Sequence, residues 1–479
     1  MQVVTAGTFV ALLPEIVAFI FSILVLMLGV FSPRAAGLTV GLAALGSLTT
    51  FATAAVLLTA RFGGSFFGGG YVVDDFALYF KLIVSLSAFF AILAAARWST
   101  RTGDGPEYVN LILSVAVGAM LLVSMRDLFG VFVAIELATI PSYAMVAFDR
   151  AHRESPEGGM KYLLTGILAS SILLYGIVLT YGAAGSAELT GMAAAFASGL
   201  SPVALLGLVL LISGFAFKVS AVPFHFWTPD AYQGAPTSAA AFLSVAPKAA
   251  TFAVLLRILL EGMPEATPAW SALMAVVAIA TMFVGNLLAL RQQNVKRMLA
   301  YSSVAHSGYI LAAFAALRGG GAETAVQAVL IYSAAYALMN LGAFFVIDLI
   351  GEDSKSYNGL FRTRPGVAVS MGIFMAALVG IPPLSGFWGK FFVILAGAQS
   401  GSVLAYIVVG AVVLNSVLSV PYYFGIIRNM VMEETTTGTT VKAGTGTIEF
   451  SVYALAFATT VFLFFIGPLA ALVRASGLL

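Results

Sequence analysis

Residues 211–260 read LISGFAFKVSAVPFHFWTPDAYQGAPTSAAAFLSVAPKAATFAVLLRILL. An apolar run carries Lys218 and breaks at Pro223. A loop with His225, Trp227 and Asp230 follows, and a second apolar run carries Lys248 directly after Pro247. A lysine in the middle of a membrane helix costs about 2.5–3.5 kcal/mol on insertion scales. A chain that places two such lysines on either side of one break is using them.

The rest of the chain is built of similar apolar runs. Of 479 residues, 61% are hydrophobic and 9% charged, and the mean hydropathy is +1.02. A soluble domain is about a quarter charged, so the composition is that of an integral membrane protein. Runs of about twenty residues suit helices crossing the hydrocarbon core, not barrel strands. Fourteen spans are predicted, at 8–31, 36–60, 74–95, 107–125, 127–148, 160–183, 202–222, 237–261, 270–291, 297–317, 323–350, 367–398 (broken), 402–428 and 448–473. The N-terminal MQVVTAGTFVALLPEIVAF has no basic leading segment and reads as the start of the first span, not as a removed signal peptide. No loop between spans is long enough for a soluble domain, so the whole of 1–479 reads as one polytopic unit.

A net charge of +2 with no basic tract offers nothing to nucleic acid. Without cysteine the chain can neither form a disulfide nor hold an iron–sulfur cluster through thiolates. No glycine-rich phosphate loop follows a strand, and the three histidines are scattered too widely to suggest a haem pair or a metal site. No cofactor is expected in this chain. Lysine and arginine are concentrated in the loops after odd-numbered spans, which carry fourteen against five elsewhere outside the spans. By the positive-inside rule both termini then lie on the outer side.

A repeat shows at the breaks. Span seven is interrupted at Val222-Pro223-Phe224-His225-Phe226-Trp227, and span twelve at Ile381-Pro382-Pro383-Leu384-Ser385-Gly386-Phe387-Trp388, with Lys390 just beyond. Five spans separate the two. An odd number per repeat makes the halves run in opposite directions, the inverted plan of many transporters with broken helices at matching places. The segments are 1–106 (spans one to three), 107–261 (first repeat, spans four to eight), 270–428 (second repeat, spans nine to thirteen) and 448–479 (span fourteen).

Four ionisable residues lie deep in spans: Glu136, Lys218, Lys248 and Lys390. Each has a proline nearby: Pro141, Pro223, Pro247 and Pro383. A helical proline frees the carbonyl four residues back, and in a membrane that carbonyl needs water or a polar side chain. Burial disfavours an ammonium and a nearby carboxylate restores it, so lysines in such surroundings titrate readily. A Glu–Lys pair with further hydrated sites is what a proton relay across a bilayer requires. The plain alternative is that the charges pair and stiffen the packing, but here the lysines outnumber the equally deep carboxylates. His306, within LAYSSVAHS at 299–307, and His225, at the break after Lys218, are further relay candidates, since imidazole both accepts and donates a proton. Lys81 is expected to snorkel to the interface near Asp74 and Asp75. His152 reads as solvated, and Asn286, Asn340 and Asn415 as polar links between helices.

Residues 217–237, FKVSAVPFHFWTPDAYQGAPT, resemble the antiporter-like membrane subunits of respiratory complex I, the NADH:quinone oxidoreductase, and within them the N branch. The resemblance extends over Glu136 to Phe148, Lys161 to Gly176, Lys296 to His306 and Gly380 to Lys390. The other branches usually have Gln where this chain has His306. The resemblance implies an all-α membrane fold of fourteen helices, with two inverted five-helix repeats and broken helices seven and twelve. It implies a proton channel in a membrane arm, with Glu136, Lys218, Lys248 and Lys390 at the family's channel positions. It also implies partners among the other membrane-arm subunits and lipids, quinone being reduced elsewhere in the assembly, and a prokaryotic plasma membrane. A cation/proton antiporter not coupled to redox is the alternative that the shared plan leaves open.

Overall fold

The computed structural model describes residues 6–32, 36–102, 104–317, 319–434 and 446–475. Among these, eleven helices are long and apolar enough to cross a membrane. Pro202–Lys218 and Pro365–Val379 are shorter apolar helices, and Val295–Ala315 is a further, less apolar helix that is buried along almost its whole length. Together they account for all fourteen expected spans. Of the basic residues used to orient the chain, Arg34, Arg318 and Lys442 lie outside the described residues.

Several helix ends differ from the expected ones for physical reasons. Span six begins at Glu154, inside the stretch read as a polar loop. Glu154 and Glu157 fall in its first turn, where carboxylates suit the positive end of the helix dipole. Span seven starts on Ser201, whose side chain accepts from the amide of Ala204 at 3.2 Å, with Pro202 at the first helical position. It ends at Lys218, not 222. After a cis Val222–Pro223 bond, a short second piece, Trp227–Gly234, leads into span eight, Thr237–Arg257. Span twelve is likewise two pieces, Pro365–Val379 and Ser385–Gln399, around a cis Pro382–Pro383 bond. The glycine-rich turn at 68–70 closes a hairpin in which Gly64–Phe66 pairs antiparallel with Tyr71–Val73. Arg257, counted with the loop residues, is instead the last residue of span eight and buried. It donates to Asp74 and Glu261, so its charge is spent inside the protein.

The five-span spacing recurs in the capping of spans five and ten. Span five, Leu128–Val146, begins on Asp127, whose carboxylate accepts from the amide of Gly130 at 2.9 Å. Span ten, Val295–Ala315, begins on Asn294, whose side chain accepts from the amide of Arg297 at 2.9 Å. Each cap also forms an isolated antiparallel bridge, Asp127 with Glu188 and Asn294 with Asp353. Spans eight and eleven (Ala322–Ile350) are enclosed along almost their whole length, whereas span one (Leu13–Phe31), span thirteen (Val403–Met432) and span fourteen (Gly446–Val461, continuing as Ile466–Ala475) turn one side outward. The polar side chains of interest sit on and around the enclosed helices.

Candidate functional site

Lys218 is the final residue of the first piece of span seven, at the negative end of that helix. Its Nζ donates to Oγ1 of Thr139 at 2.9 Å and reaches Oε1 of Glu136 and Oγ of Ser170 at 3.5 Å each. Ser170 in turn donates to the same Glu136 oxygen at 2.6 Å. The expected Glu136–Lys218 pair is therefore present but long, bridged by the Ser170 hydroxyl, while Thr139, which donates to the carbonyl of Ile135, gives Lys218 its shortest bond. Thr139 lies one helical turn beyond Glu136 on span five, which is why both face the lysine.

Lys248 is buried in span eight. Its Nζ donates to Oγ of Ser303 at 2.7 Å and to Oγ of Ser307 at 3.3 Å, and lies 3.5 Å from the Ser303 carbonyl. Ser303, His306 and Ser307 fall on one face of span ten, at spacings of three and four. A cavity about the size of one water molecule lies beside Lys248, lined by Val245, Phe252, Ser307, Ser333 and Tyr336. Among the described residues no carboxylate is within ion-pair distance of Lys248.

His306 is buried between two tyrosines. Nδ1 is 3.0 Å from the Tyr332 hydroxyl and Nε2 is 3.2 Å from that of Tyr423; the tautomer decides which nitrogen donates. Tyr423 also bonds Ser302, one turn before His306. Lys390 sits on the second piece of span twelve, yet its Nζ crosses the break to donate to the carbonyls of Val379 at 2.7 Å and Leu378 at 3.2 Å. It lies 4.5 Å above the ring of Tyr309. The Tyr309 ring under Lys390 is 5.5 Å from the His306 ring, and Ser307, which accepts from Lys248, is the next residue after His306. Nearby, Asn286 of span nine, Thr267–Ala289, donates to Asn415 of span thirteen at 3.0 Å and accepts from Tyr422 at 2.8 Å. Asn340 of span eleven donates to Ser244 of span eight at 2.6 Å. These are the links between helices that the asparagines suggest.

The structure thus gathers Lys248, His306 and Lys390 around one polar, tyrosine-rich centre. Glu136 and Lys218 form a second cluster. Between the two stands an aromatic wall: Tyr162 stacks on Trp227 at 4.2 Å, and Trp227 meets Phe217 at 5.3 Å and Tyr232 at 5.9 Å. Among the described residues no hydrogen bond joins the Lys218 cluster to Lys248. His225 lies in the break but is not among the partners of Lys218. It packs against Phe226, and its Nδ1 has no hydrogen-bond partner among the described residues. His152 is exposed and bonded to Asp149.

Lys81 corrects the expectation of snorkelling. Its side chain is 0% exposed and pairs with Glu15 of span one at 2.7 Å, while Nζ donates to the hydroxyl of Tyr71 at 2.8 Å. A partner within reach removes any reason to extend toward the interface. The sequence reading missed Glu15 and the hydroxyls of Thr139, Ser170, Ser303, Ser307, Tyr332 and Tyr423. Only the Ser303–His306–Ser307 spacing carried a readable signal.

Residues 125–419 match the family described as the NADH:quinone oxidoreductase/Mrp antiporter transmembrane family. The chain is 70% identical over 478 residues, 99% of its own length and 100% of the relative's, to NADH-quinone oxidoreductase subunit N of Rubrobacter xylanophilus. Among solved structures it is similar to a chain of respiratory complex I from Thermus thermophilus with bound aureothin, at 32% identity and a TM-score of 0.82, covering 97% of this chain and 100% of that one. A chain of the Mrp complex from a Dietzia species, 22% identical with a TM-score of 0.84 over 99% of this chain and 97% of that one, shares the fold.

Proposed function

The chain belongs to the NADH:quinone oxidoreductase/Mrp antiporter transmembrane family, and on that premise we propose that its buried lysines and their hydroxyl partners form the proton path. It is an antiporter-like, proton-translocating membrane-arm subunit of a complex I-type NADH:quinone oxidoreductase, and its partners are the other membrane-arm subunits. In the proposed path Glu136 sets the charge state of Lys218. Protons then pass by way of Lys248 and His306 to Lys390, with His225, in the break of span seven, as a further acceptor. The observation that carries this is the pairing of the later lysines with neutral acceptors alone. Lys248 ends on Ser303 and Ser307, and Lys390 on two backbone carbonyls. A lysine held in this way exchanges its proton without breaking an ion pair, and each hydroxyl can donate and accept in turn.

The path divides between two repeats, 107–261 and 270–428, with matched caps at Asp127 and Asn294 and matched breaks before Trp227 and Trp388. No cofactor is assigned to this chain. It has no cysteine, and the described residues hold no group of three or more His, Asp or Glu placed to bind a metal. It is an integral membrane protein. Its proposed home is the prokaryotic plasma membrane with both termini outside, which labelling of single cysteines introduced at either end, in a chain that has none of its own, would test.

Lys218→Met and Lys248→Met, made in the intact complex in membrane vesicles, are expected to lower protons pumped per electron while the complex still assembles. Unchanged pumping in both would remove the relay. An antiporter uncoupled from redox would show cation/proton exchange in vesicles without an electron donor, which the redox-coupled reading does not expect.

A further inference from the structure

The second piece of span seven, Trp227–Gly234, is gripped from two sides. At its start, Nε1 of Trp227 donates to the carbonyl of Phe217 at 3.2 Å, the residue before Lys218. In its middle, the Asp230 carboxylate accepts from Nη1 of Arg297 at 2.7 Å and from Nζ of Lys161 at 2.8 Å. Arg297 also donates to Oε1 of Gln233 at 2.9 Å. The guanidinium therefore holds two residues one helical turn apart, on one face of the piece. Next to it, Lys296 donates to the carbonyl of Ala235 at 2.6 Å. Both basic residues stand in the first turn of span ten, the helix that carries Ser303 and His306.

The piece has little freedom to slide. A Cβ at Gly234 would fall 2.1 Å from the carbonyl oxygen of Glu154, and one at Gly158 would fall 2.8 Å from that of Asp230. Span six is thus pressed against its other side. The contacts of Trp227 with Phe217 and of Asp230 with Arg297 thus run from the Lys218 end of the break to the first turn of span ten.

We propose that Asp230 and Arg297 are positioning residues that couple the two halves of the chain, holding span ten in register with the break beside Lys218. This rests on the proton-relay reading. Side chains this exposed, 29% for each, add little to stability by their attraction, so variants should assemble and report on coupling instead.

The test uses the intact complex in vesicles and reads proton pumping and quinone reduction separately. Arg297→Gln, with Asp230→Asn as a second variant, is expected to lower proton pumping per electron by about 2- to 30-fold, the range of couplings carried by packed and hydrogen-bonded networks. Arg297→Lys, which keeps a donor for Asp230, should recover most of the loss. Lys161→Met, which removes the other donor, should pump nearly normally. A purely structural pair would change assembly and leave protons per electron alone. If Arg297→Gln and Asp230→Asn pump like the parent while Lys218→Met does not, the coupling role is overturned and the relay stands. If Lys161→Met loses as much as Arg297→Gln, Asp230 acts through span six and the proposal is wrong. Normal pumping by both Lys218→Met and Lys248→Met removes the relay and this role with it.

Discussion

The ammonium of Lys390 lies 2.7 Å from the carbonyl oxygen of Val379, on the far side of the break in span twelve. The last carbonyls of a helix have no intrahelical partner and sit at its negative end. Lys390 supplies the missing donor, and the break lets it reach there. Lys390→Met leaves the carbonyls of Leu378 and Val379 without this donor. It should abolish most pumping and also cost about 1–3 kcal/mol, the usual penalty for an unsatisfied buried group. Vesicle pumping and thermal unfolding of the purified complex read the two effects separately. A variant that pumped fully would take Lys390 out of the path.

Gly380 makes room for that lysine. It has a φ of +97°, and a Cβ there would lie 3.1 Å from Cδ of Lys390. Gly380→Ala should therefore destabilise by about 1–2 kcal/mol through backbone strain and impair pumping through Lys390. A Cβ at Gly372, in the helix just before, would meet nothing within 4 Å. Gly372→Ala should be neutral or stabilising by up to about 1 kcal/mol. Equal melting temperatures for the two variants would contradict this account of the break.

Lys248 depends on two serines of span ten. Removing both hydroxyls, as Ser303→Ala with Ser307→Ala, leaves its Nζ only the Ser303 carbonyl at 3.5 Å. Proton pumping should fall by about 100-fold, the lower end of the range for losing a positioned proton-transfer group, with quinone reduction less affected. Each single variant should lose less than the double. Wild-type pumping by the double variant would mean that the proton does not leave Lys248 through span ten.

Glu15 and Lys81 are a buried pair outside the proposed proton path. Glu15→Ala strands the Lys81 ammonium, 0% exposed, and should cost about 3–5 kcal/mol. Replacing both, as Glu15→Leu with Lys81→Met, should restore much of that loss, because the uncompensated charge is gone. Calorimetry of the purified complex measures the difference. Protons per electron in the assembled fraction should be the same in parent and variants; a drop there would place this pair in the path.

Hydropathy determined the membrane class and the fourteen spans, and the prolines the places where they break. A run of twenty apolar residues has few other uses, and Pro223 and Pro382-Pro383 interrupt a helix wherever it sits. The deep charges stood out for the same reason, since Glu136, Lys218, Lys248 and Lys390 each violate their surroundings. Partners were another matter. These helices are apolar on nearly every side, so no polar stripe says which face turns inward. The rotation of each helix about its axis is settled only when the bundle packs. That rotation puts Thr139 and not Glu136 closest to Lys218, brings Tyr423 of span thirteen to His306, sets Glu15 beside Lys81, and sends Lys390 back across its own break to Val379. It also leaves His225 away from the lysine it follows in sequence. The deep charges were written in one dimension, and the groups they touch were chosen by helix packing.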